Sequence, residues 1–152
     1  MNNPQKDTGS AKARKSSARL MAVQAVYQMH KNDQSAKEVV REYFDHRIGM
    51  EVDGQRMVSA DREHFSNTVQ GVAENFDQLQ EMVVKNRSRD TLTNEPLLNA
   101  LFLCGAYELM LRSDIDYPII ISDYVHVAQA FFDESESGLV NAVLDSIRKT
   151  TR

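Results

Sequence analysis

Apolar residues recur at intervals of three and four along most of this chain, which is the spacing of helices that bury one face. The clearest stripe predicts one long helix in the middle of the chain and consists of Phe65, Val69, Val72, Phe76, Leu79 and Val83. Similar spacing predicts helices over 13–30, 35–47 and 137–149. The segment 95–112 is apolar nearly all round, so we expect it to form the central buried helix.

The breaks in this periodicity predict the connections between helices. Residues 48–59 contain glycines and an Asp-Gly pair, which indicate a loop with a turn. Ser59 or Asp61 is expected to cap the long helix that follows. The polar segment 85–93 is expected to join two halves of the protein.

The segment after Pro118 can be read in two ways. Three consecutive isoleucines at 119–121 have the composition of a strand. No partner strand is visible, so we predict an extended segment there instead. Ser122 is then expected to cap a helix over 123–132, with Asp123 favourable at its positive end.

Together these elements predict an all-α protein of six or seven helices, packed as two halves of three to four helices each. We expect residues 1–12 to be a disordered tail and residues 13–152 to be one helical domain with its own core. No apolar run approaches the ~20 residues that span a bilayer, and the polar N-terminus lacks the apolar stretch of a signal peptide. Cys104 is the only cysteine, so an intrachain disulfide is excluded and a cytoplasmic location is expected.

Candidate catalytic groups are scattered rather than clustered. The four histidines share no motif, and the glycines form no phosphate-binding loop. Asp123 and His126 lie three residues apart, but zinc sites usually need three or four protein ligands. Cys104 lies in the most apolar predicted helix and is expected to be a core residue. We therefore expect no enzyme activity, no cofactor and no metal.

Charge is distributed unevenly along the chain. Residues 1–19 contain five basic residues and one acidic residue, a net charge of +4, whereas the whole chain carries −4. The basic segment runs directly into an apolar helical pattern, so part of it should lie on the first turns of an ordered helix. Such a fixed basic helix end indicates an anionic partner, and nucleic acid is one candidate. The alternative is a disordered polybasic tail with no specific partner.

Single-stranded RNA fits this pattern better than duplex DNA. Lys12, Arg14, Lys15 and Arg19 are expected to hold phosphates, and Tyr27 to stack on a base or pack at a protein edge. The acidic remainder of the chain would repel a duplex, and no helix-turn-helix signature is present. A few phosphate contacts give modest affinity, so a second protein that shares the RNA would help.

Several ordered motifs resemble those of the NusB family of transcription antitermination proteins. The segment ARLMAVQAVYQ at 18–28 is similar to the opening helix of that family. The resemblance continues through FSNTVQGV at 65–72, GAYEL at 105–109, ISDYVHVAQAF at 121–131 and VNAVLD at 140–145. Each motif alone is weak, but their joint order and spacing cover nearly the whole chain.

The resemblance implies an RNA-binding factor rather than an enzyme. Members of the family pair with NusE, a small-subunit ribosomal protein, and bind the single-stranded boxA element of ribosomal RNA leaders. The pair then helps to assemble an antitermination complex on RNA polymerase. By position, Arg14, Lys15 and Arg19 match the basic start of the family, and Gln24 and Tyr27 match its glutamine and tyrosine. The resemblance therefore implies that Gln24 and Tyr27 line the edge facing RNA or NusE.

Three alternatives stay open at this stage. The same fold assists ribosomal RNA methyltransferases as an accessory RNA-binding module. A protein-only adaptor of NusE is a second alternative, because Ser16, Ser17 and Leu139 replace residues that are basic or aromatic in much of the family. Some members also self-associate, so a homodimer is a third. Glu108 is expected to be structural, and a buried carboxylate there would need a partner such as an arginine.

Overall fold

The computed structural model describes residues 9–46, 51–52, 55–56, 59–87 and 95–152. These residues form seven helices: α1 Ala11–Lys31, α2 Ala36–His46, α3 Arg62–Glu74, α4 Phe76–Asn86, α5 Pro96–Leu111, α6 Tyr117–Phe131 and α7 Glu134–Thr151. Between α2 and α3, strand β1 (Glu51–Val52) pairs antiparallel with strand β2 (Gln55–Arg56). The prediction of an all-α fold is confirmed, and residues 1–8 of the predicted tail lie outside the described residues.

Helix α5 is the centre of the core, as its composition predicts. Every residue from 100 to 109 is buried, including the free thiol of Cys104. It packs against α1, α3, α4, α6 and α7, so both halves of the protein are built on this one helix. A helix with neighbours on all sides requires apolar residues around its whole circumference, which explains its sequence.

The described contacts do not test where the two predicted halves divide. Helices α1, α2 and α3 pack on one another, α4 packs on α3, α5 and α7, and α5 contacts helices of both groups. The prediction that the division falls within 85–93 therefore stays a prediction. Residues 88–94 lie outside the part of the chain that the structure describes.

The long helix predicted in the middle of the chain is two helices. Helix α3 ends at Glu74 and α4 begins at Phe76, with Asn75 between them at φ −118° and ψ 24°. The Asn75 side chain donates a hydrogen bond to the Gly71 carbonyl at 2.9 Å, beside the bond from its own backbone N–H at 3.1 Å. An asparagine side chain that competes for backbone groups favours a helix end. Since only one residue interrupts the helix, the apolar stripe stays in phase and does not reveal the break.

Helix α6 begins six residues earlier than predicted. The carbonyl of Asp116 accepts hydrogen bonds from the backbone N–H groups of Ile119 and Ile120, at 3.1 and 3.3 Å. Pro118 lies in the first turn, where its missing N–H leaves no bond unmade. The predicted extended segment is therefore the start of the helix, and Ser122 does not cap it. Asp123 was predicted at a helix end, but it lies in the second turn of α6 and faces α1.

The start of α1 extends past the core. Ser10 caps the helix by accepting a hydrogen bond from the Ala13 N–H at 3.1 Å, and Ala18 is the first buried residue. The first two turns therefore stand clear of the apolar interior. Asp61 caps α3 beside them, as predicted, by accepting a hydrogen bond from the His64 N–H at 3.0 Å.

Helices α3 and α5 approach each other closely at a glycine. A Cβ atom built on Gly71 would lie 2.1 Å from Cε1 of the Tyr107 ring. Only a residue without a side chain leaves room for that ring. None of the described helices has the length and apolar character needed to cross a membrane.

Candidate nucleic-acid interface

All six predicted RNA-binding residues lie on α1, but the fold separates them into three environments. Lys12 is exposed on the first turn. Four of the six are half-buried: Arg14, Lys15, Gln24 and Tyr27. Arg19 is buried, with 2% of its surface exposed. The sequence predicted five of these residues on one helix and Lys12 in the tail before it, whereas α1 begins at Ala11 and includes Lys12. The sequence also did not reveal that Arg19 faces the interior.

Arg19 lies at the centre of a buried polar network. Its guanidinium forms a two-bond ion pair with Glu108 on α5: Nε donates to Oε2 and NH2 donates to Oε1, both at 2.9 Å. Its third nitrogen, NH1, donates to Oδ2 of Asp123 on α6 at 2.7 Å. Parallel bonds from a planar guanidinium to a carboxylate are strong and strictly oriented. The buried Glu108 therefore has the arginine partner that its burial was expected to require.

Two further side chains complete the network around Glu108. The Tyr124 hydroxyl on α6 donates to Glu108 Oε2 at 2.5 Å, and its ring lies 5.9 Å from the Arg19 guanidinium carbon. His64 on α3 brings Nε2 to 3.1 Å from Glu108 Oε1, although its N–H is not aligned for a hydrogen bond. The network thus joins α1, α3, α5 and α6 at one point.

The network keeps Glu108 ionised in spite of its burial. Burial by itself would raise the pKa of this carboxyl, but the neighbouring His64 and Arg19 lower that pKa to about 2. Burial and the Glu108 charge raise the pKa of Tyr124, so its phenol stays protonated and acts as a donor. Arg19 therefore serves the fold: it satisfies two carboxylates, and almost none of its surface is open to a phosphate.

Asp123 fixes the basic end of α1 from one side. Its Oδ2 accepts from Arg19, and its Oδ1 accepts a hydrogen bond from the Ser16 hydroxyl at 2.6 Å. Ser16 is one turn before Arg19, so a single carboxylate holds two successive turns of α1. Both carboxylate oxygens of Asp123 already accept hydrogen bonds, from Arg19 and Ser16. This makes Asp123 unsuited to a metal site with the exposed His126.

Asp61 fixes the same helix end from the other side. Its backbone N–H donates to the Arg14 carbonyl at 3.0 Å, and its Oδ2 accepts from Lys15 Nζ at 3.1 Å. Burial would raise the pKa of Asp61, but the hydrogen bond from the His64 backbone and the Lys15 ammonium lower it. The Lys15 side chain is 39% exposed, so its pair with Asp61 is open to water and to competing anions.

Gln24 and Tyr27 lie further along α1, beyond the network. A spacing of three residues puts them on one face of the helix. Tyr27 packs partly against the core, and its hydroxyl accepts a hydrogen bond from Lys31 at 3.1 Å. The Lys31 ammonium also lies 5.4 Å from the centre of the tyrosine ring. Tyr27 is therefore partly packed and partly accessible, and whether it also contacts a partner stays a prediction.

Sequence reasoning missed a basic residue that the fold brings to this region. Arg62 begins α3 directly after Asp61, and it is exposed. Its guanidinium carbon lies 5.2 Å from the centre of the Phe44 ring on α2. Nothing in the local sequence marks Arg62, because its proximity to the start of α1 depends on the packing of α3 against that helix.

No catalytic constellation is present among the described residues. Burial raises the pKa of the Cys104 thiol well above its usual value, so a thiolate nucleophile is excluded there. No group of three or more His, Cys, Asp and Glu side chains in the described ranges is arranged to hold a metal ion.

Comparison with known proteins identifies the family. A profile of the NusB family matches residues 16–149. The chain is 39% identical over 137 residues to the transcription antitermination protein NusB of Rhizobium etli, covering 89% of this chain and 86% of the relative. It is 35% identical over 140 residues to the NusB of Caulobacter vibrioides, covering 91% of this chain and 94% of the relative.

Solved structures show the same fold. Thermotoga maritima NusB superposes with a TM-score of 0.72 at 18% identity, covering 93% of both chains. A chain from the crystal structure of antitermination factors NusB and NusE in complex with double-stranded RNA gives a TM-score of 0.73 at 20% identity. That match covers 93% of this chain and 99% of the other. The absence of enzyme activity that the sequence predicts agrees with relatives that are antitermination proteins. By its profile match and its curated relatives, the chain belongs to the NusB family.

Proposed function

We propose that this protein is a transcription antitermination factor that binds boxA-type single-stranded RNA of ribosomal RNA leaders together with NusE. In this proposal it acts in the cytoplasm and helps to assemble an antitermination complex on RNA polymerase. The observation that carries the proposal is the basic end of α1, which stands clear of the core and is held on both sides by Asp61 and Asp123. The orientation of this charged helix end is already fixed. Less conformational entropy is therefore lost when its cations bind a phosphate backbone.

Lys12, Arg14 and Lys15 are the proposed phosphate contacts. Lys12 is exposed, and Lys15 is partly exposed although it pairs with Asp61. Ion pairs open to solvent contribute only about 0–1 kcal/mol, so a phosphate can replace the Asp61 carboxylate at Lys15. Arg19, in contrast, is a positioning residue in this proposal, because its guanidinium is occupied by Glu108 and Asp123.

Gln24 and Tyr27 are proposed to line the edge that faces RNA or NusE. Both are half-buried on the outer side of α1, so each presents part of its side chain to a partner. Three phosphate contacts on single-stranded RNA correspond to a log–log salt slope of about −2, which indicates modest affinity. Binding energy contributed by NusE would compensate for this modest RNA affinity. The solved structure of antitermination factors NusB and NusE with double-stranded RNA supports NusE and RNA as classes of partner.

The test is fluorescence anisotropy of a labelled boxA oligonucleotide, with a scrambled strand and a duplex as comparisons, in the presence and absence of NusE. We expect the boxA strand to bind weakly to the protein alone and more tightly with NusE. The double variant Arg14→Ala, Lys15→Ala should weaken both forms and flatten the salt slope by about 1.4. The matched control is Lys85→Ala, Lys149→Ala, which removes the same charge from the ends of α4 and α7.

The results of these measurements separate the proposal from its alternatives. Equal binding of the boxA and scrambled strands with NusE present would contradict the proposed RNA preference. Binding of NusE with no boxA preference at any salt would indicate the protein-only adaptor instead. Sedimentation of the free protein measures self-association, and loss of RNA binding in a dimer would show that the two compete.

A further inference from the structure

Arg62 differs from Arg19 and Lys15, the cations of this region whose charge is met by a carboxylate. Arg19 is paired with Glu108 and Asp123, and Lys15 is paired with Asp61. Within the described ranges, no carboxylate or carbonyl accepts a hydrogen bond from Arg62, and its guanidinium lies beside the Phe44 ring. Arg62 is therefore an exposed cation held against an aromatic side chain.

The Phe44 ring is itself fixed. It packs against the core and lies 6.0 Å from the ring of Phe65, which is fully buried on α3. An arginine held over a packed aromatic ring by a cation–π contact can still use its N–H groups as donors. This is the arrangement that presents two or more N–H groups to a phosphate.

Arg62 is also adjacent to the proposed RNA site. It follows Asp61, whose backbone donates to the Arg14 carbonyl and whose carboxylate accepts from Lys15. The start of α3 and the start of α1 are therefore joined at this one residue. A phosphate backbone that reaches Lys15 lies next to the first turn of α3, where Arg62 is exposed.

We propose that Arg62, whose guanidinium carbon lies 5.2 Å from the centre of the Phe44 ring, is a further RNA-backbone contact that extends the phosphate-binding surface from α1 onto the α2–α3 edge. This inference rests on the proposed function and adds to it the direction in which the RNA leaves α1. The strand runs from Lys12 and Arg14 past Lys15 towards α2. Arg62 contacts phosphate only, so it contributes affinity and salt dependence without changing the preference for boxA.

The experiment is a salt titration of boxA binding by anisotropy, using the full chain together with NusE. Arg62→Ala should weaken binding about threefold to fivefold near 0.15 M salt and reduce the steepness of the log–log slope by about 0.7. Arg62→Lys should keep the wild-type slope, because it retains the charge. Lys85→Ala, on the exposed face of α4, is the matched control and should change neither quantity.

Three results would overturn the inference. One is an Arg62→Ala variant with wild-type affinity and slope. Another is an Arg62→Lys variant that loses as much slope as the alanine variant, since the stacking and not the charge would then matter. The third is a wild-type protein that binds no RNA with or without NusE, which would contradict the proposed function itself. Thermal melts of each variant check that the fold is intact before binding is compared.

Discussion

Arg19→Ala is the substitution that best tests the role of the buried network. It removes both hydrogen bonds to Glu108 and the bond to Asp123 and leaves these two carboxylates without their shared cation. Glu108 has no exposed side-chain surface and Asp123 has 15%, so in the variant the Glu108 carboxylate is buried without its cation. We expect the main effect to be on the free energy of unfolding rather than on a direct RNA contact.

The size of the effect follows from the burial of the pair. Removing one partner of a buried ion pair typically costs about 3–5 kcal/mol. The whole network, His64 as well as Arg19, lowers the pKa of Glu108 to about 2 in the folded protein against an ordinary value of 4.5. At about 1.4 kcal/mol for each pH unit, this difference corresponds to about 3 kcal/mol of stability at neutral pH. For a domain whose total stability is about 5–15 kcal/mol, either figure is a large part of the whole.

The lowered pKa of Glu108 also makes the free energy of unfolding depend on pH. The folded pKa of Glu108 is below the unfolded one, so its contribution is complete above about pH 4.5 and is lost as the pH falls towards 2. The wild type should therefore lose about 3 kcal/mol through this group over that range. Arg19→Ala should lose less, because the cation that lowers the pKa of Glu108 is gone.

Denaturant and thermal unfolding measure these effects. A loss of about 3–5 kcal/mol corresponds to a fall in Tm of about 6–20 °C for a chain of this size. Lys12→Ala is the matched control, because it removes one charge from the exposed part of the same helix and should stay within about 0.5 kcal/mol. The double variant Arg19→Ala, Glu108→Ala should cost less than the two single variants added together. An Arg19→Ala protein with the wild-type Tm would refute the structural role of this arginine.

Two further predictions follow from close contacts elsewhere. Gly71→Ala should lower stability by about 1–3 kcal/mol, because its Cβ would lie 2.1 Å from the Tyr107 ring. Gly138→Ala, which has no atom within 4 Å, should instead gain up to about 1 kcal/mol, and unfolding curves of the two separate packing from helix propensity. Asp61→Asn keeps a capping oxygen for α3 but removes the charge that pairs with Lys15. RNA anisotropy should show tighter binding and a steeper salt dependence for this variant, and weaker binding would mean that Asp61 positions Lys15 instead of competing with RNA.

Much of the local structure could be predicted from the sequence. The apolar spacing identified α1, α2, α5 and α7, because one face or the whole circumference of each is buried. Asp61 was identified as a cap because an aspartate before a helix can accept from the backbone. Cys104 was assigned to the core from the composition of its helix. These features depend on residues within a few turns of one another.

The helix ends were less predictable, because competing local signals are decided by packing. At Asn75 a single non-helical residue leaves the apolar stripe in phase, so periodicity cannot reveal the break between α3 and α4. At Pro118 a helix start and an extended segment have similar composition. Burial of Ile120 and Ile121, with Asp123 turned towards Arg19, favours the helix.

Local patterns along the chain therefore predict an all-α protein with a basic segment that leads into its first helix. Which of those basic residues face solvent depends on how the helices pack. Arg19 and Glu108 are 89 residues apart in the chain and in contact in the fold, so nothing near Arg19 shows that its charge is neutralised inside the protein. Arg62 is the opposite case, a cation far from the basic segment that helix packing places beside it. Charge is a property of each residue, but whether a phosphate can reach it depends on burial and on partners that only the folded chain brings together.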